Sequence, residues 1–189
     1  MVIFTLWEIF DAVIMTLAVG FIFSDTFRKP VTEEYDPLTY YKSKLYLGDF
    51  KFAALVTAPG IILHELGHKF IALSFGMSAT FKAAYTFLGL GLALKILNFP
   101  IFFVPAYVSI IGNGTPLQSA LIAFGGPAVN LILWLVSLFL VKYGLLNRKY
   151  NYILLLMGRI NMFLFIFNML PIPGFDGNKV FLGLIQTFF

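Results

Sequence analysis

The chain has 189 residues, 60% of them hydrophobic and only 12% charged, with a mean hydropathy of +0.90. That composition excludes a water-soluble globule and points to an α-helical integral membrane protein. The net charge of +4 is spread as single Lys and Arg residues beside apolar stretches, which fits anchoring to lipid head groups and not nucleic-acid binding, and with no cysteine the candidate metal ligands reduce to His, Asp and Glu.

Val2 to Phe23 is long and apolar enough to cross a bilayer and has no basic leader or cleavage site, so it reads as a retained first span. Glu8 and Asp11 lie three apart on one face of it and must meet protein or water. Residues 24–51 form the one polar stretch, expected to be a loop outside the membrane with a short surface helix. We divide the chain there, into an N-terminal helix and loop over 1–51 and a core over 52–189.

Phe52 to Phe75 is the second span, with Pro59 expected to bend it and Gly60 and Gly67 allowing a neighbour to approach closely. Gly76 to Thr115 is apolar but broken by glycine and proline. Such backbone survives at membrane depth only beside protein or water, which favours a re-entrant hairpin or sheet around Phe99 to Ile111, with a helix over Ala83 to Leu97 as the competing reading. Leu117 to Val141 is the third span, in which Gly125, Gly126 and Pro127 permit close packing and Asn130 can bond to another helix. Tyr150 to Leu170 is the fourth. It carries Arg159, for which Glu8 or Asp11 is a candidate partner, the alternative being a snorkelling arginine. Val180 to Phe189 is too short to span and should lie in the interface or against the bundle. About four transmembrane helices and a partly β segment are therefore expected, in a multi-pass protein whose partner is the lipid bilayer, placed in the cell membrane.

The second span contains the only two histidines, in His64-Glu65-Leu66-Gly67-His68. Residues four apart on a helix share a face, so His64 and His68 can offer two nitrogen ligands to Zn²⁺ while Glu65 can take a proton from water. A chance pairing of structural histidines is the bland alternative, and two buried histidines with a glutamate are costly in lipid without a function. A catalytic zinc needs a third protein ligand. Asp176 is the only carboxylate after Glu65, the seven other acids lying upstream. It stands in Asn168-Met-Leu-Pro-Ile-Pro-Gly-Phe-Asp-Gly177, where Pro171 and Pro173 end the fourth span in a turn that can aim a carboxylate inward; an interfacial turn with a solvated aspartate is the alternative.

The HELGH segment at 64–68, Gly126-Pro127-x-x-Asn130 on the next span, and N-x-x-P-x-P-x-x-D-G at 168–177 together resemble the site-2 protease family of intramembrane zinc metalloproteases, the M50 group. The resemblance runs from about Phe52 to Lys179 in the family's order. It departs at Phe175, where leucine is usual, and leaves no room for a PDZ module or a regulatory domain. What it implies is a three-helix catalytic core, one zinc ion on His64, His68 and Asp176, Glu65 as general base, and Asn168, Pro171 and Pro173 positioning a membrane-spanning protein substrate. Other membrane metalloproteases would use a downstream Glu or a third His, and this chain has neither. A non-catalytic scaffold that has kept the fold is the remaining alternative, against which the intact His64, Glu65, His68 and Asp176 count.

Overall fold

Thr5 opens the first helix, α1 (Leu6–Ile22), through a capping box: its hydroxyl accepts from the Glu8 amide at 3.3 Å, and its own amide donates to the Glu8 carboxylate at 2.8 Å. The structure, a computed structural model, describes residues 3–28, 47–99 and 104–189. Most of the expected polar loop lies outside those residues. The second helix, α2 (Leu47–Ser74), begins at Leu47 rather than Phe52, taking Asp49 and Lys51 into its first turns, and runs through Pro59 without interruption.

Gly76, at φ +76°, turns the chain out of α2 in a conformation that side chains resist. There follow β1 (Ser78–Ala83), α3 (Tyr85–Ile96) and β2 (Ala106–Ile111). The strands pair antiparallel, from Ser78 opposite Ile111 to Ala83 opposite Ala106. A sheet and a helix, expected as competitors, are thus both present: only β2 falls in Phe99 to Ile111, its partner β1 lies before the helix with period-two burial, and the helix-forming run between them makes the connection. Residues 100–103, within the stretch Phe99 to Ile111, lie outside the described residues. Phe81, Ala83 and Ala106 of the sheet bury themselves with Met15 and Val19 of α1 and Leu88 of α3.

The remaining helices are α4 (Pro116–Lys142), α5 (Asn151–Asn168), entered through a 3-10 turn at Arg148–Tyr150, and α6 (Asp176–Phe188). Helix α4 starts at a second capping box, between Thr115 and Gln118, with Pro116 at the first helical position, where its missing N–H costs nothing. It is the hub of the fold, packing against α2, α5 and α6. The chain's last segment is longer than expected, starting at Asp176, and docks on α4 at Gly183, where any side chain would collide with Pro116 and Ala120.

Three helical stretches are long and apolar enough to cross a membrane: α2, α4, and α5 with its preceding turn. Their outward faces carry exposed apolar side chains such as Leu63, Phe70, Ile132, Phe139 and Phe163, as a surface facing lipid requires and one facing water does not. The chain is a membrane protein. Helix α1 has 17 residues, about 25 Å at 1.5 Å per residue against a hydrocarbon core of about 30 Å.

The two acids of α1 do face protein, but not Arg159. Glu8 accepts from Lys69 of α2 and from the Phe81 amide at 2.7 Å, and Asp11 accepts from the Ala83 amide at 3.2 Å and from the Tyr85 hydroxyl. Arg159 is exposed on α5. The expected pairing fails because α1 packs on α2 and β1, whereas α5 packs on α4 and α2, so the acids meet the strand edge first.

Candidate metal centre

Three apolar helices and one short one bring together residues 112 positions apart in sequence, from His64 to Asp176. His64 and His68 project from α2 toward α4 at Gly125 and Gly126. A Cβ on Gly126 would sit 2.6 Å from His64 Nε2 and closer still to His68, so only glycine leaves room for the two rings. Gly67 is equally constrained, since its Cβ would strike the Gly125 carbonyl. The paired glycines of α4 therefore let its backbone lie directly on the histidine face of α2.

Asp176 arrives from the other side. Helix α5 ends at Asn168, and the chain reverses through residues 169–175, where Gly174 takes φ +99°. The Phe167 and Phe175 rings meet edge to face at 4.8 Å, and Gly177 packs so tightly on the Met169 and Leu170 carbonyls that no side chain fits. Asp176 is the first residue of α6, at the positive end of its dipole.

The three ligand atoms form a nearly equilateral triangle: Asp176 Oδ2 is 3.2 Å from His64 Nε2 and 3.2 Å from His68 Nε2, and the two nitrogens are 3.1 Å apart. Tetrahedral coordination with bonds of about 2.0–2.1 Å requires ligand separations of about 3.3 Å, so the triangle has the dimensions of one face of a zinc tetrahedron. The outer nitrogens are also committed as a metal site needs. His64 Nδ1 faces the acceptor Asn130 Oδ1 at 2.5 Å, and His68 Nδ1 lies 2.7 Å from the Ile122 carbonyl, nearer than the Gly126 amide at 3.3 Å; with Nδ1 donating to these acceptors, each Nε2 keeps a lone pair directed into the triangle. Among the described residues this is the one cluster of His, Asp or Glu that could hold a metal ion.

The third-ligand residue, read from sequence as the sole downstream carboxylate, is thus brought to both histidines. Glu65, also buried, follows His64 directly on α2. Asn168 is half-buried at the end of α5, and Pro171 and Pro173 are exposed in the following turn; no hydrogen bond joins them to the triangle. Sequence reasoning missed the Ile122 carbonyl, since any residue could supply it, and Asn161, whose amide bonds to Asn130. Asn130 was visible as a polar residue on an apolar span.

The family model for "Peptidase family M50" matches residues 52–148, which hold His64, Glu65, His68 and Asn130. The chain belongs to this family. A Methanocaldococcus jannaschii protein named "Putative zinc metalloprotease" is 34% identical over 174 residues, spanning 92% of this chain and 82% of its own length. A Synechocystis protein of the same designation is 30% identical over 132 residues, 70% of this chain but 31% of that larger protein. No solved structure matches the chain. Family and relatives agree with the geometry: this is a metalloprotease-family membrane protein whose His64, His68 and Asp176 could hold a metal.

Proposed function

We propose that the protein is an intramembrane zinc metalloprotease that hydrolyses peptide bonds of membrane-spanning protein substrates. The observation that carries this reading is the closed triangle of His64, His68 and Asp176 on apolar helices, with a buried glutamate one residue from the first ligand. One zinc ion held there would supply a Lewis acid for the scissile carbonyl and acidify a water molecule. Glu65 accepts the proton of the attacking water and returns it to the leaving amine, a role its place beside the ligands allows. Asn168 offers an amide for hydrogen bonds to substrate backbone, and the rigid Pro171 and Pro173 turn, clamped by Phe167 and Phe175, keeps that end of the site open to it.

A helical substrate hides its carbonyls and must be unwound before attack. The sheet supports one way of doing so. The Phe81 and Ala83 amides of β1 point at Glu8 and Asp11, so by the antiparallel register their partners Val108 and Ala106 present their own backbone groups on the opposite, outer edge of β2. No backbone partner meets that edge among the described residues. A substrate strand added there lies near the metal centre, because Val108 packs in the cluster of Ile122, the residue whose carbonyl holds His68. We further assign residues 1–51 to an N-terminal unit and 52–189 to the catalytic core. Helix α1, with apolar Ile3, Phe4 and Phe23 extending it, is the fourth span of a multi-pass protein of the cell membrane.

The test is cleavage of single-span proteins co-reconstituted with the purified enzyme in vesicles. Wild type is expected to cut a subset of them, to stop with a zinc chelator and to recover on zinc addition. Glu65→Gln is expected to bind zinc and to cut at least about 100-fold more slowly. Cleavage unaffected by both chelator and Glu65→Gln would sink the reading, and a metal-free, inert wild type would favour a non-catalytic scaffold.

A further inference from the structure

Two backbone carbonyls fix the direction of a hydrogen-bond chain that ends on His64. Asn161 Nδ2 is 2.8 Å from the Met157 carbonyl, which can only accept, so this end of the amide is the NH₂ group. Its Oδ1 therefore faces Asn130 Nδ2, also at 2.8 Å, and the same Nδ2 donates to the Gly60 carbonyl at 3.2 Å. With its NH₂ group doubly committed, Asn130 has only Oδ1 to present to His64. Nδ1 of that ring must then be the donor, which puts the lone pair on Nε2, toward the metal position. Asn130 and Asn161 are 0% and 1% exposed, so no solvent competes with the chain. Gly60 is shaped to it as well: a Cβ there would stand 2.9 Å from Asn161 Oδ1.

We propose that Asn161, which belongs to none of the sequence motifs, is a positioning residue that fixes the metal-binding tautomer of His64 through Asn130. The proposal rests on the zinc reading above. His68 has no need of such a chain, because the Ile122 carbonyl is an acceptor in any rotamer. The chain also ties three helices to one ring: Gly60 on α2, Asn130 on α4 and Asn161 on α5.

The experiment measures zinc affinity by chelator competition and follows the Nδ1–H signals of isotope-labelled histidine in the zinc-loaded protein, which has only two histidines to assign. Asn161→Leu, of similar size, is expected to weaken zinc binding by about 10–100-fold and to shift the His64 signal while His68 stays in place. Asn161→Asp, neutral when so buried, can donate its hydroxyl to Met157 and accept from Asn130, and is expected to recover most of the affinity. Gly60→Ala, on a different helix, is expected to weaken binding in the same direction and serves if the leucine variant does not fold. Wild-type affinity in Asn161→Leu, equal movement of both histidine signals, or an aspartate variant no better than leucine would overturn the proposal. Failure of the zinc reading looks different: the wild type itself would not compete with the chelator.

Discussion

Helix α2 carries two buried polar clusters whose nearest members are adjacent in sequence, His68 and Lys69, and they are built on opposite principles. On one side, Glu8 is saturated: one carboxylate oxygen takes Lys69 and the Phe81 amide, and the other takes the Thr5 amide and hydroxyl. Lys69, 1% exposed, also lies over the Phe4 ring at 4.7 Å. On the other side, two imidazole nitrogens and a carboxylate oxygen, all with lone pairs, converge with no donor among them. At membrane depth both arrangements are costly unless satisfied. The first is closed by the protein's own groups and so reads as structure. The second is closed only by a cation, and so reads as a site.

The largest expected effect breaks the open cluster without touching a ligand. Gly126→Ala places a methyl group against both imidazoles, which cannot retreat because Asn130 and the Ile122 carbonyl hold their far nitrogens. Zinc binding and proteolysis are expected to be lost together, with helicity kept. Metal content by mass spectrometry and circular dichroism of the same sample check this; a zinc-loaded Gly126→Ala would mean that the ring positions are softer than the packing implies.

The closed cluster is expected to respond in stability. Glu8→Ala leaves the Lys69 ammonium and the Phe81 amide buried without their partner, a loss of about 3–5 kcal/mol for a broken buried pair. The double variant Glu8→Ala with Lys69→Met removes the stranded charge and is expected to regain much of it. Unfolding in mixed detergent micelles would measure both. A double variant as unstable as the single one would show that the strand-edge bond, and not the charge, dominates this cluster.

Much of the open cluster was legible in the sequence, because its chemistry is restricted to few residue types: two histidines at helical spacing, and one downstream acid behind a proline turn that cannot stay helical. The second, third and fourth spans were legible because lipid selects for plain hydrophobicity, although Asp49 and Lys51 inside α2 show that polar residues in a first turn hide how far a helix extends. The closed cluster was not legible. Glu8 could be read as needing a partner, but Lys69 follows His68 directly and looks like any snorkelling lysine, and the Phe81 amide carries no sequence signal. Arg159 seemed the better match because a charge in mid-span invites pairing, yet helix order in space keeps it outside. Asn161, one of three asparagines on its helix, is visible as a polar residue but gives no hint of which carbonyl orients it.

The smallest effect sharpens the comparison within the closed side. Asp11 repeats the Glu8 device one turn along α1, accepting from the Ala83 amide and the Tyr85 hydroxyl, but Tyr85 is exposed and Asp11 only half-buried. Where water or head groups can replace a lost acceptor, a hydrogen bond is worth about 0.5–1.5 kcal/mol. Asp11→Ala is therefore expected to cost about 1 kcal/mol, Tyr85→Phe less, and the pair to couple weakly in a double-mutant cycle. Zinc affinity should not change in any of these variants, since α1 touches the strand edge and not the triangle. A loss from Asp11→Ala as large as that from Glu8→Ala would mean that the strand edge is sealed as a unit, and that saturation by both carboxylates, not burial of one ion pair, is what holds β1 beside the metal centre.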